Sequence, residues 1–404
     1  MKIHCVGAGP AGLWFAIAAM TYDPGHDVTV FERRPPGTTH GWGIVYWDDL
    51  LDGASRVDLA TAREIRDGSI RWAGQRVCVQ DRRPVHLGGT GYGMGRQRLI
   101  DVLAQRARDL GVRIEYERDV ADTADLPDAE LVVVADGAGS RLRRHRPETF
   151  GTTETTGTNR HLWLGSAHPF PDFTFAFEDT GAGWIWFHAY RYAPQASTVI
   201  VECREETWRR LGFGPVADEA CLEELGRIFA KHLDGHQLRP DPNATEGTRW
   251  TTFTTVSNAR WHAGDVVLLG DAAHTAHFSI GSGTRMAFED AAALARAVAG
   301  CTSADLPVAL QRYQDERIPA VLALQQHAAA SARWFQDVDD HVRLPPLHFG
   351  YSLRMRRDPQ PRSALLLALH RATQWKLGRL ARRMVAQGRR MAAGSQPARR
   401  PKAR

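Results

Sequence analysis

Three glycines near the start of the chain, Gly7, Gly9 and Gly12, follow an apolar run (Ile3, Cys5, Val6) and lead into an alanine-rich apolar segment from Leu13 to Met20. The spacing predicts a strand, a tight turn and a helix. The first glycine permits the turn, the second lets backbone approach a pyrophosphate, and the third lets the helix pack closely on the strand. Pro10 and Ala11 lie between the last two, at a helix start whose free N–H groups and positive dipole end favour phosphate. A second strand, Val28 to Phe31, ends at Glu32, twenty residues after Gly12. A carboxylate there can accept hydrogen bonds from a ribose diol. The combination predicts a dinucleotide site.

Two later turns have the same character. The run Leu131 to Ala135, apolar throughout as a buried parallel strand should be, ends in Asp136-Gly137-Ala138-Gly139-Ser140. The run Asp265 to Leu269 ends in Gly270-Asp271-Ala272-Ala273-His274, and a loop with Gly281, Gly283 and Thr284 follows before a helix that opens near Arg285. Turns at the carboxyl ends of parallel strands are where such sheets place ligands. Arg96 opens a helix through Leu103, where a cation opposes the helix dipole, so a cofactor phosphate or a surface carboxylate is expected beside it. Gly41 and Gly43 flank Trp42 in a loop that they free to change conformation or to touch a planar ligand closely, with a packing turn as the alternative.

The elements that position these residues follow from periodicity. Leu50 to Asp67 reads as helix, Ile70 to Val79 and Val85 to Leu87 as short strands, and Gly88 to Gly95 as a glycine-rich link. From His161 to Glu202, aromatic and β-branched residues alternate around turns at Gly181-Ala182-Gly183 and Pro194-Gln195-Ala196-Ser197, which predicts an antiparallel meander. Its second strand places Trp184, Trp186, His188 and Tyr190 on one face and Ile185, Phe187, Ala189 and Arg191 on the other. A helix from Asp218 to Leu233 and a strand from Arg249 to Val256 complete this module. Helices then extend to His341, residues 342–361 read as irregular, and a last amphipathic helix runs from Ser363 to Met391.

The fold class is therefore α/β: a discontinuous Rossmann-like nucleotide-binding domain (1–70, 96–160 and 257–340), an antiparallel sheet domain (71–95 and 161–256) and a helical C-terminal extension with a basic tail (341–404). No apolar run approaches the ~20 residues of a membrane span. The N-terminus lacks a signal-peptide pattern, so a cytoplasmic location is expected. The five scattered cysteines indicate neither a disulfide framework nor a metal site. The formal charge is +5, yet residues 359–404 hold twelve Lys and Arg and no acid, which leaves the first 358 residues at −7. An acidic body argues against nucleic acid as a partner.

Read in order, Gly7-x-Gly9-x-x-Gly12 with Glu32, Asp136-Gly137-x-x-Ser140-x-x-Arg143, and Gly270-Asp271-Ala272-Ala273-His274 with Gly281-x-Gly283 resemble the single-component flavoprotein aromatic hydroxylases of the p-hydroxybenzoate hydroxylase-like class. Longer stretches are similar to the salicyloyl-CoA 5-hydroxylase and anthraniloyl-CoA monooxygenase branch, which also includes a tryptophan hydroxylase of violacein-type biosynthesis. They include Arg33 after the acid, Gly41-Trp42-Gly43, Gly95-Arg96-x-x-Leu99, Phe173 to Tyr192, Glu202 to Trp208, and His274 to Thr284. Ser279 and Arg285 depart from the wider class and mark the branch.

The resemblance implies FAD, with ADP on the first glycine loop, ribose on Glu32, Arg33 near the adenosine, Arg96 and Asp136 on the cofactor, Asp271 at the ribityl or phosphate end, and Gly281 to Thr284 against the isoalloxazine. It implies NADH or NADPH as a transient co-substrate and O2 as the oxidant, through a C4a-hydroperoxyflavin whose distal oxygen attacks an electron-rich ring. That chemistry needs a dry aromatic-walled cavity, for which Trp42, Phe175, Phe177, Trp186 and Phe278 are the candidates. It also needs a group that takes or shares the substrate proton. His277 is the first candidate, because its loop should adjoin the flavin, and His188 and Tyr190 follow. The expected substrate is a small aromatic molecule, with an aryl-CoA thioester first and a carrier-linked or free aromatic such as tryptophan as alternatives. The expected assembly is a monomer or homodimer.

Other readings are weaker. Trp184-Ile185-Trp186 resembles the W-x-W element of flavin-dependent halogenases, but no lysine lies between Lys2 and Lys231, and Phe187-His188 replaces the expected Ile-Pro. A reductase of the same cofactor fold shares the three motifs. The basic C-terminal helix suggests membrane docking or CoA-phosphate binding, or a helix folded on the acidic body.

Overall fold

The computed structural model describes residues 1–357. The helix expected from Ser363 to Met391 and the basic tail lie outside the described residues.

Strand Lys2–Val6 is central, and Ile3, His4, Cys5 and Val6 are all buried in it. It pairs in parallel with Asp27–Glu32 on one side and Leu131–Val134 on the other. Arg113–Tyr116 and Val266–Leu268 continue the sheet in parallel at its two sides, and His262–Ala263 closes one edge antiparallel. Helices Pro10–Tyr22 and Gly283–Val298 lie against each other, with Trp14 stacked on Phe288 at 4.6 Å. Gly12 permits the close approach of helix and strand: a Cβ on it would lie 2.1 Å from the Gly7 carbonyl oxygen. All three predicted ligand turns leave this sheet at the carboxyl ends of their strands.

The predicted meander is the centre of an eight-stranded sheet in which Thr152–Ser166, Ala196–Cys203, Trp184–Ala193 and Phe173–Asp179 are successive antiparallel neighbours. The two faces of Trp184–Ala193 separate as the period of two requires. Ile185, Phe187 and Ala189 join one buried cluster with Phe229 and Leu225, whereas Trp186 and Tyr190 join another with Phe175, Phe177, Trp334 and Phe335.

Four local expectations change. Leu50 to Asp67 forms two helices, Asp48–Val57 and Leu59–Asp67, because Asp58 is extended and caps the second by accepting from the Thr61 N–H at 2.8 Å. The glycine-rich link contains a strand, Gly91–Gly95, paired with Gly43–Tyr46 and Ile70–Trp72. Its glycines serve contact rather than turning, since a Cβ on Gly93 would lie 2.2 Å from the Arg191 carbonyl oxygen. Residues 342–361 include a helix, Pro346–Arg354, with proline at its start where the missing N–H costs nothing. Finally, Thr152–Ser166 is a 15-residue strand that runs through position 160, so the chain passes between the two proposed domains inside one element.

Phe177 and Trp186, expected to touch substrate, lie instead in the packing between this sheet and the C-terminal helices. Phe177 is fully buried, stacked on Trp186 and Phe335 and edge-on to Trp334 and Phe349. Phe177→Ala should therefore destabilise the fold by about 3–5 kcal/mol in denaturant titration. Phe177→Leu should keep near-normal substrate affinity, and a large affinity loss at unchanged stability would contradict the placement.

Candidate active site

One cavity of about 1260 Å³ runs from the first glycine turn to the inner face of the antiparallel sheet. At one end it is lined by Gly7, Gly9, Pro10 and Ala11, with Glu32 and Arg33 beside them. Gly12 lies behind, in the helix–strand contact. Helix Pro10–Tyr22 has no side-chain cap and no acidic residue in its first turn, so its N–H groups are free for an anion. Glu32 is fixed by accepting from the Ala8 and Arg34 N–H groups, each at 3.0 Å, and its carboxylate has further lone pairs for a diol.

The middle of the cavity is polar. Arg96, Asp136 and Asp271 all line it. Asp136 accepts from the Arg141 N–H at 3.1 Å, while its Oδ1 is buried with no partner; Arg96 Nε is likewise buried and unpaired. Burial raises the pKa of Asp136 against the pull of Ser140 and nearby arginines, and burial among protein groups also raises that of Asp271. Gly281, Gly283 and Thr284 form the adjoining wall. Gly270 lies behind it, packed against Ala11. A helix end with free N–H groups, a fixed carboxylate with spare lone pairs and orphaned polar atoms along one channel fit the groups of FAD.

The far end is aromatic. Trp163, Phe173, Phe175 and Phe278 line it with His161, His188 and Tyr190. His188 is 2% exposed, and its Nε2 lies 3.6 Å from Oε2 of Glu202, which is 1% exposed. Glu202 also accepts from Asn159 Nδ2 at 2.8 Å and Trp186 Nε1 at 3.2 Å. Burial works to raise the Glu202 carboxyl, but His188, His277 and Asn159 outweigh it and hold the pKa below its ordinary value. For His188, burial prevails over Glu202 and lowers the pKa, so the pair is an ionised carboxylate beside a neutral imidazole. Desolvation brings His161 down to about 4, so it is neutral as well.

Several expected roles move. His277 does not line the cavity. Its Nδ1 accepts from the Ser279 N–H and lies 2.9 Å from Ser279 Oγ, and its ring stacks on Phe278, so it caps the short turn Phe278–Ile280. Tyr190 faces the cavity but its hydroxyl donates to the Gly43 carbonyl at 2.8 Å. The Gly41–Gly43 loop is thus pinned, with Gly43 N–H donating to Thr198 Oγ1 and Gly41 N–H to Asp241. Trp42 packs on Gly165 outside the cavity, and Trp47 lines the wall instead. Glu202 is on the same strand face as Ile200 and opposite Trp186, so an inward carboxylate was visible in the alternation. Arg356 and Arg357, which also line the cavity, gave no such signal because their segment reads as loop.

Residues 88–328 match the family model described as an FAD binding domain. The chain belongs to the FAD-binding-domain family. It is 37% identical over 376 residues to a salicyloyl-CoA 5-hydroxylase of Streptomyces sp (90% of this chain, 71% of that one). It is 34% identical to the protodeoxyviolaceinate monooxygenase of Chromobacterium violaceum (89% and 96%). To the 3-hydroxy-4-methyl-anthranilyl-[aryl-carrier protein] 5-monooxygenase of Streptosporangium sibiricum it is 36% identical (84% and 90%). Among solved structures, 2-methyl-3-hydroxypyridine-5-carboxylic acid oxygenase shares the fold, with a TM-score of 0.68 at 18% identity over 89% of this chain and 93% of that one. The protein is an FAD-dependent aromatic monooxygenase. Among the described residues no helix is long and apolar enough to cross a membrane.

Glu202→Gln should remove the carboxylate's upward pull on His188 and leave burial and the Arg356 charge acting downward, so the imidazole titrates at lower pH still. NMR titration of the His188 ring reads this directly; an unchanged or higher pKa would contradict the pairing. Because His188 is neutral when folded and protonates near 6.5 when unfolded, its contribution to stability is present above that pH and is lost as pH falls through the depressed folded value.

Proposed function

We propose that this monooxygenase hydroxylates an aromatic ring carried on a CoA thioester, with salicyloyl-CoA hydroxylated at ring position 5 as the leading case. The balance is one ring C–H, O2, NAD(P)H and a proton giving one ring C–OH, NAD(P)+ and water. The observation that carries the reading is the continuity of the cavity from the glycine turn to an aromatic chamber with a carboxylate-backed imidazole on its wall. The 37% identity to a salicyloyl-CoA 5-hydroxylase over 90% of the chain supports the substrate class. The similarity to the protodeoxyviolaceinate monooxygenase supports, as a second reading, a free indole-type substrate.

FAD, when bound and reduced by NAD(P)H, would activate O2 for transfer of one oxygen atom to the ring. The chain's own residues do the rest. Gly9, the start of helix Pro10–Tyr22 and Glu32 would hold the ADP end, and Arg96, Asp136 and Asp271 would face the ribityl and phosphate span. Phe278 and the Gly281–Thr284 stretch would bound the flavin ring. Trp163, Phe173 and Phe175 hold the substrate ring by stacking and exclude water, which would otherwise divert the oxidant to hydrogen peroxide. Neutral His188, oriented by Glu202, accepts the proton of the ring hydroxyl and raises electron density at the carbon to be attacked. The cofactor assignments residue by residue, and a monomeric or homodimeric state, are part of this proposal.

Purified yellow protein should oxidise NADH or NADPH faster with salicyloyl-CoA than with tryptophan and give a product with one added oxygen. Stimulation by tryptophan alone would favour the second reading and end the first. His188→Gln should lower kcat by about 10²-fold or more at unchanged FAD content.

A further inference from the structure

Among the described residues, the C-terminal helices reach back to the cavity through one short stretch, Arg354 to Arg357, and Arg356 is its most buried charge at 8% exposure. Its guanidinium spends three of five N–H groups on neutral acceptors. Nε donates to Ser331 Oγ at 3.0 Å, Nη1 to the Leu353 carbonyl at 2.8 Å and Nη2 to the Ser279 carbonyl at 2.8 Å. One N–H on each terminal nitrogen is left over. Among the described residues no carboxylate pairs with Arg356, in contrast to Arg317, which is bonded to both Asp290 and Glu289. A buried cation without a counter-ion is costly, and proteins keep one where a ligand brings the opposite charge.

The location says which ligand. Arg356 lies over the rings of Phe175, at 5.5 Å, and Phe335, at 5.8 Å. His188 packs against the same two rings, at 5.0 and 4.8 Å. The cation and the imidazole therefore flank one aromatic wall, and both face the chamber that takes the substrate ring. Its Ser279 contact also ties the cation to the loop that borders the flavin end.

We propose that Arg356 binds the ring oxygen of the aromatic substrate in its anionic form, so that the substrate is held as a phenolate with its charge directed onto the carbon to be hydroxylated. The proton leaves the ring hydroxyl to His188, and the guanidinium holds the oxygen so exposed. Hydrogen bonding to the ionised form favours that form, and a planar two-donor fork fixes the orientation of the ring. This rests on the reading of the chamber as the site of a hydroxylated aromatic ring, but not on the thioester. The burial that depresses the guanidinium to about 9 without a counter-ion is relieved when the phenolate binds.

The test uses the FAD-loaded full chain and two ligand pairs, salicyloyl-CoA with benzoyl-CoA and salicylamide with benzamide, titrated by the perturbation of the flavin visible spectrum. Each pair differs by the ring hydroxyl alone. The wild type should prefer the hydroxylated member by about tenfold or more, and Arg356→Gln should bring that ratio near one while the unhydroxylated member binds within about twofold of before. Arg356→Lys, which keeps charge but not the fork, should fall between. A ratio unchanged in Arg356→Gln would overturn the proposal. A second measurement needs no variant: the difference spectrum of the bound hydroxylated ligand should show the phenolate band at a pH where the free ligand is neutral, and a neutral bound phenol would overturn the proposal even if the glutamine variant fails to fold. Binding of the amide pair without the thioester pair would end the CoA reading and leave Arg356 to be decided on the amides.

Discussion

The loop that leaves strand Val266–Leu268 lines the cavity, and its own carbonyls must be satisfied from outside. That requirement organises the molecule. Arg143 donates to the Ala272 carbonyl, Asn258 to Ala273, Gln325 to Thr275, Arg356 to Ser279 and Arg357 to Ile280. Those donors come from four separate parts of the chain: the short helix Arg141–Arg144, strand Thr251–Asn258, the long helix Leu306–Gln336, and the successive residues Arg356 and Arg357 after helix Pro346–Arg354. A buried carbonyl left unpaired costs about 1–3 kcal/mol, so the loop's shape depends on elements far from it in sequence. His274 adds an anchor below, 2.7 Å from Asp290, whose carboxyl the imidazole and Arg317 hold low against the effect of burial.

Charge in the chamber follows from the same economy of burial. Glu202 is a buried anion behind His188, surrounded by three donors or near-donors, and Arg356 is a cation on the chamber wall whose partners among the described residues are neutral. Between them lie aromatic rings, in which the local dielectric is low and both charges act strongly. Such a chamber can polarise a phenol without admitting water. Period-two alternation on strand Trp184–Ala193 makes this possible, since it places His188 toward the chamber while Phe187 and Ala189 fill the core behind.

Much of the nucleotide end was legible in the sequence. Gly7, Gly9, Gly12 and Glu32 form a local pattern whose partners lie within one strand–helix–strand unit, and periodicity gave the sheets on both sides of the cavity. The substrate end was less so, because its residues meet only through tertiary packing. His277 has the right loop but spends its ring on a turn cap, and Phe177 and Trp186 have the right strand face but sit beyond the end of the chamber, under Trp334 and Phe335. Glu202 could have been found from its place directly after the apolar run Val199 to Val201, on the same strand face as Ile200. Arg356 could not, since nothing local in Arg354-Met355-Arg356-Arg357 says that it folds back over the loop at Ser279.

The most direct test of this account is a crystal structure of the FAD-loaded protein with salicyloyl-CoA or salicylamide bound under anaerobic conditions. The adenosine should lie by Gly9 and Glu32, the flavin ring against Gly281 to Thr284, and the substrate ring among Trp163, Phe175 and His188 with its oxygen on Arg356. A substrate ring on the other face of the antiparallel sheet, or a cofactor that leaves the glycine turn empty, would contradict it.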